Sequence, residues 1–177
     1  TLHIEFMNKP IIYQMLPRLW GNDNTSPVPS GTLAENGTGK FSDIDDKTLE
    51  YLKWLGCSHV WYTGIIRHST QETEQGCLPS HPQFVKGKAG SPYAICDYFD
   101  VNAYLADNPD RRMAEFDALV KRTHEHGLKV IIDFVPNHVA RDYGRNGLVE
   151  GHSVLGREDD RNIHWSPDND FFYYPGQ

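Results

Sequence analysis

Residues 128–139, LKVIIDFVPNHV, restrict the fold more than any other stretch of this chain. Val130, Ile131 and Ile132 form an unbroken β-branched run behind Leu128 and Lys129. Such side chains are stiff at χ1 and fit the pleated surface of a strand. A strand without polar alternation is expected to be covered on both faces, as in a parallel sheet flanked by helices. Asp133 stands where this strand should end, and a carboxylate is costly inside an apolar run unless the strand end has a use for it. Asn137 and His138 follow on the loop that leaves the strand. In α/β folds, ligands bind and chemistry is done at that rim.

The preceding chain supplies the other parts of such a sheet. Residues 11–16 read as a first strand stopped by Pro17, and 58–63 as a second. Between them, 21–41 is a long loop rich in Gly, Asn, Ser, Thr and Pro, and 42–55 is a helix. Asp43 or Asp45 can cap that helix, Leu49, Leu52 and Leu55 give it one apolar face, and Gly56 ends it. Residues 64–92 read as a second long loop, and 93–104, with aromatics at 93, 98, 99 and 104, as a segment with a little extended structure. A further helix starts at Asn108 or Asp110, with Pro109 in its first turn. Met113, Phe116, Leu119, Val120 and Thr123 line one face of it, His124 and His126 sit in its last turn, and Gly127 closes it. The result is a βα alternation with right-handed crossovers. The tail, 140–177, is polar and glycine-bearing, ends in an aromatic run at 171–174, and fits no further βα unit. Three strands of this kind are too few for a closed barrel, so the chain is expected to be the front part of a larger protein.

Composition removes several classes of function. The 177 residues are 38% hydrophobic, enough for one well-cored domain. Acidic residues exceed basic ones by 24 to 17, giving a net charge of −7, and no basic cluster offers itself to nucleic acid. No apolar run approaches the roughly 20 residues of a membrane span. Cys57, Cys77 and Cys96 form no CxxC pair, so a zinc site is not expected, and an odd count leaves at least one thiol without an intrachain partner. Asn22-Asp23-Asn24 reads as an Asx-rich turn rather than a cation loop.

At Asp133-Phe134-Val135-Pro136-Asn137-His138 the chain resembles the first conserved region of the α-amylase superfamily, glycoside hydrolase family 13, a strand followed by D-x-x-x-N-H. Ile12 to Arg18 (IYQMLPR) is similar to the family's opening strand, and Leu49 to Tyr62 (LEYLKWLGCSHVWY) to its first helix and second strand. Tyr93 to Tyr98 (YAICDY) resembles its G-Y-x-x-x-D-Y segment, and Phe116 to His138 its second helix and third strand. The resemblance implies an α/β fold: a partial (β/α)8 TIM barrel, with its first three strands and two helices, over residues 1–139. The start of a domain B inserted after the third strand follows over 140–177. It also implies a retaining mechanism on α-glucans such as starch or maltooligosaccharides. In the family, the catalytic carboxylates follow strands four, five and seven, so none is expected within this stretch, which alone should be inactive. A secreted or periplasmic setting is favoured by the same resemblance.

The resemblance carries roles to four residues. Tyr93 matches a tyrosine that stacks on the sugar in the cleavage subsite, and His138 a histidine that hydrogen-bonds the 6-hydroxyl of that sugar. Asp133 matches an aspartate that orients neighbouring polar groups, among them an arginine outside this stretch, so as an isolated carboxylate it is expected to be poorly satisfied. Asn137 matches the asparagine whose side-chain oxygen binds calcium in the α-amylases proper, and which elsewhere in the family only ties down its loop. Asp159, Asp160, Asp168 and Asp170 lie in the region that would add calcium ligands. The chain departs from the family pattern at Gly64, where proline is frequent, and at Ser91-Pro92, where glycine usually precedes the tyrosine. Two alternatives stand beside hydrolysis: a family transglycosylase or α-glucoside isomerase, and an amylase-like binding protein without catalysis.

Overall fold

Strands β1 (Ile12–Met15), β2 (His59–Tyr62) and β5 (Lys129–Ile132) form a parallel sheet in the order β1-β2-β5 in a computed structural model that describes residues 9–73, 78–144 and 152–176. The register aligns Tyr13 with Val60 and Val130, and Met15 with Tyr62 and Ile132. Because side chains alternate along a strand, these six share one face. Met15, Val60 and Tyr62 on that face belong to a core with Leu49 and Leu52 of helix α2 (Asp46–Trp54) and Leu119 of helix α3 (Arg112–Glu125). The other face carries Ile12, Gln14, His59, Trp61, Lys129 and Ile131, and Asp133 continues its alternation.

The helices begin and end where local chemistry directs. The Asp45 carboxylate accepts the Thr48 amide at 2.8 Å and so caps α2, while Asp43 takes the Lys40 amide at 2.7 Å and closes the 3-10 turn Phe41–Asp43. Asn108 accepts the Asp110 amide at 3.1 Å in the 3-10 turn Pro109–Arg111 that leads into α3. Gly56 and Gly127, at φ +85° and +68°, leave the two helices in the left-handed conformation that side chains resist. Arg122 donates to the Ile44 and Phe41 carbonyls, both at 2.9 Å, and ties α3 to the turn before α2. The Tyr62 hydroxyl and Thr123 Oγ1 pair at 2.7 Å within the core. Tyr62→Phe is expected to cost about 1 kcal/mol, read as a lowered urea midpoint at unchanged slope; an unchanged midpoint would deny that bond a net role.

Several expectations need correction. Strand β5 is not covered on both faces: Lys129 is exposed, Val130 and Ile131 are half-buried, and Ile132 is 40% exposed. The strand lies at the sheet's edge, and the helices pack against one face only. Leu55 and Met113, expected on apolar helix faces, are 43% and 45% exposed. Leu55 already lies past the last turn of α2, and Met113 sits in the first turn of α3. The 21–41 loop contains a short helix, α1 (Leu33–Asn36), capped by Thr32 and Glu35 in a reciprocal box. The supposed loop 64–92 contains strand β3 (Ile66–His68), which pairs antiparallel with β4 (Ile95–Val101).

That second sheet depends on Asn102, 1% exposed. Its amide nitrogen donates to the Gly64, Ile65 and Ile66 carbonyls at 2.9–3.2 Å, and its oxygen accepts the His68 amide at 3.0 Å. With two hydrogens shared among three carbonyls and its oxygen on a fourth group, one side chain ties together the backbone of a bulged, irregular strand pair. The tail contains no helix or strand among its described residues. Cys57 and Cys96 are buried, and Cys77 lies outside the described residues. No helix among the described residues is long and apolar enough to cross a membrane.

Candidate functional site

The loop leaving β5 is held from the side by β4. The Tyr98 hydroxyl donates to the Val135 carbonyl and lies 3.3 Å from that of His138. The Ala140 amide donates to the Ile95 carbonyl at 2.7 Å, and the Gly144 amide to that of Cys96 at 3.0 Å. These bonds carry the chain from the end of β5 alongside β4 and fix where residues 135–140 stand. Burial pushes the Tyr98 phenol above its ordinary pKa, which keeps it a donor.

His138 and Asn137 emerge side by side, with His138 Nδ1 2.8 Å from Asn137 Oδ1. Asn137 Oδ1 can only accept, so Nδ1 carries the proton, and in the neutral ring Nε2 presents a lone pair. Both residues line a cavity of about 950 Å3. Tyr98, Phe99, Phe134 and Pro136 form its wall on the barrel side, and Leu155, Asp170, Phe171 and Phe172 form the wall from the tail. A mostly apolar hollow with a few convergent polar groups is the usual form of a small-ligand site.

Asp133 lies deeper. One oxygen accepts the indole N–H of Trp61, its neighbour on the same sheet face, and the other is buried without a hydrogen-bond partner among the described residues. Tyr93 does not line the cavity that holds Asn137 and His138. It is 48% exposed in the turn before β4, where its amide donates to Ser91 Oγ at 3.3 Å. The structure therefore brings Asn137 and His138 together, puts Asp133 at the strand end behind them, and leaves Tyr93 outside the hollow. Of the rings that do wall it, Phe99, Phe171 and Phe172 stand in the sequence only within aromatic clusters, while Tyr98 and Phe134 lie inside matched motifs without a role of their own. Asp170 gave no signal distinguishing it from its acidic neighbours.

Calcium takes about six to eight oxygen ligands. Asn137 Oδ1 is engaged by His138, Asp160 Oδ1 takes the Asn162 amide at 2.9 Å, and both oxygens of Asp159 accept hydrogen bonds from residues 170, 171 and 173. Among the described residues, no group of three or more His, Cys, Asp or Glu side chains could hold a metal ion. Calcium at Asn137 remains what the resemblance implies, and no chemistry is assigned to it.

A parallel βα sheet with its polar groups on the loop after the last parallel strand is the front of a (β/α)8 barrel. The chain belongs to the α-amylase family: the family model described as "Alpha amylase, catalytic domain" matches residues 15–173. It is 27% identical over 142 residues to an alpha-glucosidase of Pediococcus pentosaceus, covering 80% of this chain and 19% of that protein. It is 27% identical over 186 residues to a cyclomaltodextrin glucanotransferase of Bacillus sp. (strain 1-1), covering 94% and 24%. Among solved structures, the maltogenic alpha-amylase AmyB of Thermotoga neapolitana matches with a TM-score of 0.50 and 30% identity, over 76% of this chain and 25% of that one. The chain spans 19% and 24% of the length of these two curated relatives.

Proposed function

We propose that this chain supplies the first part of the active site of a retaining glycoside hydrolase that cleaves α-1,4-glucosidic bonds in starch or maltooligosaccharides. The observation that carries the reading is the pair Asn137 and His138 on an aromatic-walled cavity at the C-terminal end of a parallel strand. A pyranose ring presents C–H groups that pack on aromatic faces and hydroxyls that need directional partners. With Nδ1 tied to Asn137, Nε2 of His138 accepts a hydrogen bond from a sugar hydroxyl, and the loop's bonds to Tyr98 hold the ring in place. Asp133 orients polar groups behind it, and its unpaired oxygen suits a cationic side chain from outside this stretch. The reading of Tyr93 as a sugar-stacking ring rests on the motif alone. Residues 140–177 are read as the start of a domain B.

The retaining reaction needs two carboxylates about 5–5.5 Å apart, one attacking the anomeric carbon and one serving as acid and then base. This reading places both outside residues 1–177, so the stretch by itself is expected to be inactive. The full-length protein is expected to release the α-anomer from amylose and maltooligosaccharides, and release of the β-anomer would contradict the reading. His138→Ala in that protein is expected to lower kcat/KM about 10- to 100-fold, the loss of one or two hydrogen bonds in the transition state; a change under twofold would remove His138 from the site. The similarity to a glucanotransferase supports transglycosylation as the second reading. Longer oligosaccharides accumulating ahead of new reducing ends would decide for it.

A further inference from the structure

The tail that closes the cavity is built around one carboxylate. Asp159 Oδ1 accepts the Asp170 amide at 2.9 Å, and Oδ2 accepts the Phe171 amide at 3.0 Å and the Tyr173 hydroxyl at 2.8 Å. Burial raises the Asp159 carboxyl, but these three bonds outweigh it and hold the group below its ordinary value, with the Arg161 charge adding to them. Gly156 lies under the same segment, where a Cβ would come within 2.8 Å of the Phe171 ring. The Gly156 amide donates to Asp170 Oδ2 at 2.7 Å. Asp170 therefore stands on the cavity wall with its backbone fixed by Asp159 and one carboxylate oxygen fixed by Gly156. Its other oxygen, Oδ1, has no hydrogen bond among the described residues. Asp170 is exposed, so Oδ1 is open to solvent or to a ligand on a hollow that also presents His138.

We propose that Asp170 binds a hydroxyl of the α-glucan in this cavity through Oδ1, and that Asp159 is the positioning residue that holds it there. The inference rests on the proposed function of the site. An ionised carboxylate accepts from a sugar hydroxyl in a charge-assisted bond, and the flanking Phe171 and Phe172 give the C–H face a surface to pack on. The site thereby gains an acidic contact from the tail opposite the imidazole from the barrel.

The test uses the full-length protein and maltooligosaccharides of defined length. Asp170→Asn keeps an oxygen for the Gly156 amide but loses the charge. KM is expected to rise about tenfold, with the loss falling on KM rather than kcat and the melting temperature held. Asp159→Asn is expected to raise KM to a similar extent, and the double variant to be no worse than the more affected single one, because both act through the same contact. Asp170→Ser, which also keeps an acceptor for Gly156, serves if the asparagine variant misfolds. A KM within twofold of the parent for the folded Asp170 variant would overturn the proposal. Multiplying effects of the two substitutions would overturn the positioning role of Asp159. A parent protein that neither cleaves nor binds α-glucan would overturn the proposed function, and this inference with it.

Discussion

Asp100→Ala should destabilise the protein by about 3–5 kcal/mol, because it strands a buried guanidinium. Asp100 accepts from Arg67 Nη1 at 3.1 Å, from Arg112 Nε at 2.7 Å and from Arg112 Nη2 at 2.8 Å. The Arg67 and Asp100 side chains are both almost fully buried, and Arg67 Nη2 already lacks a partner among the described residues. The three residues join β3, β4 and the start of α3, so the cluster holds the second sheet against the helix that supports the first. Its worth as a whole is a separate matter, since two buried charges cost nearly as much to desolvate as their attraction returns. Urea unfolding of Asp100→Ala against a paired Arg67→Met/Asp100→Leu variant separates the two. The single variant is expected to be the less stable. If it loses less than about 1 kcal/mol, the guanidinium must reach water once its partner is gone.

Acid should weaken the fold through His68 before ordinary carboxylates titrate. Burial drives the His68 imidazole from 6.5 down to about 4; a hydrogen bond to the Ala89 carbonyl opposes the shift and the Arg18 charge adds to it. Nε2 donates to that carbonyl at 3.0 Å and lies 3.4 Å from the Tyr104 hydroxyl, leaving Nδ1 buried with no partner among the described residues. An unfolded histidine takes up its proton near 6.5, whereas the folded one resists until about 4. Between those values the unfolded chain binds more protons, so stability is constant above the window and falls as pH drops through it. The full loss is about 3 kcal/mol. Asp97 works in the opposite sense, because burial and then the Asp100 charge hold its carboxyl above the ordinary value, against the amide of Phe99. Comparing the parent with His68→Gln at about pH 7 and about pH 4.5 isolates the imidazole. The parent is expected to lose about 2–3 kcal/mol more than the variant, and equal losses would mean His68 is protonated in the fold without penalty.

The parallel sheet was legible because its signals are local. The β-branched run at 130–132, the cap at Asp45 and the glycines at 56 and 127 each constrain the backbone around them, whereas Asn108 caps the 3-10 turn ahead of α3 and not the helix itself. Strand β3 was not legible. Ile66-Arg67-His68 has no alternation to read, and its polar members are buried only because Asp100, Ala89 and Asn102 come from elsewhere in the chain to meet them. The proposed site divides the same way. Asp133, Asn137 and His138 announce themselves by spacing along one loop, whereas Asp170 becomes significant only when a tail more than 30 residues further on folds back beside His138.

By itself the sequence determined which segments are strands and helices in the first sheet, that the sheet is parallel, and that polar groups gather where its last strand ends. Those follow from periodicity, caps and steric preference, all effective within a few residues. Tertiary structure alone decided which aromatic rings wall the cavity, which carboxylates are spent on backbone amides and which oxygen is left over, and where a buried histidine and arginine find partners. Hydrogen-bond satisfaction and burial are properties of groups distant in sequence and close in space, and no local pattern encodes them.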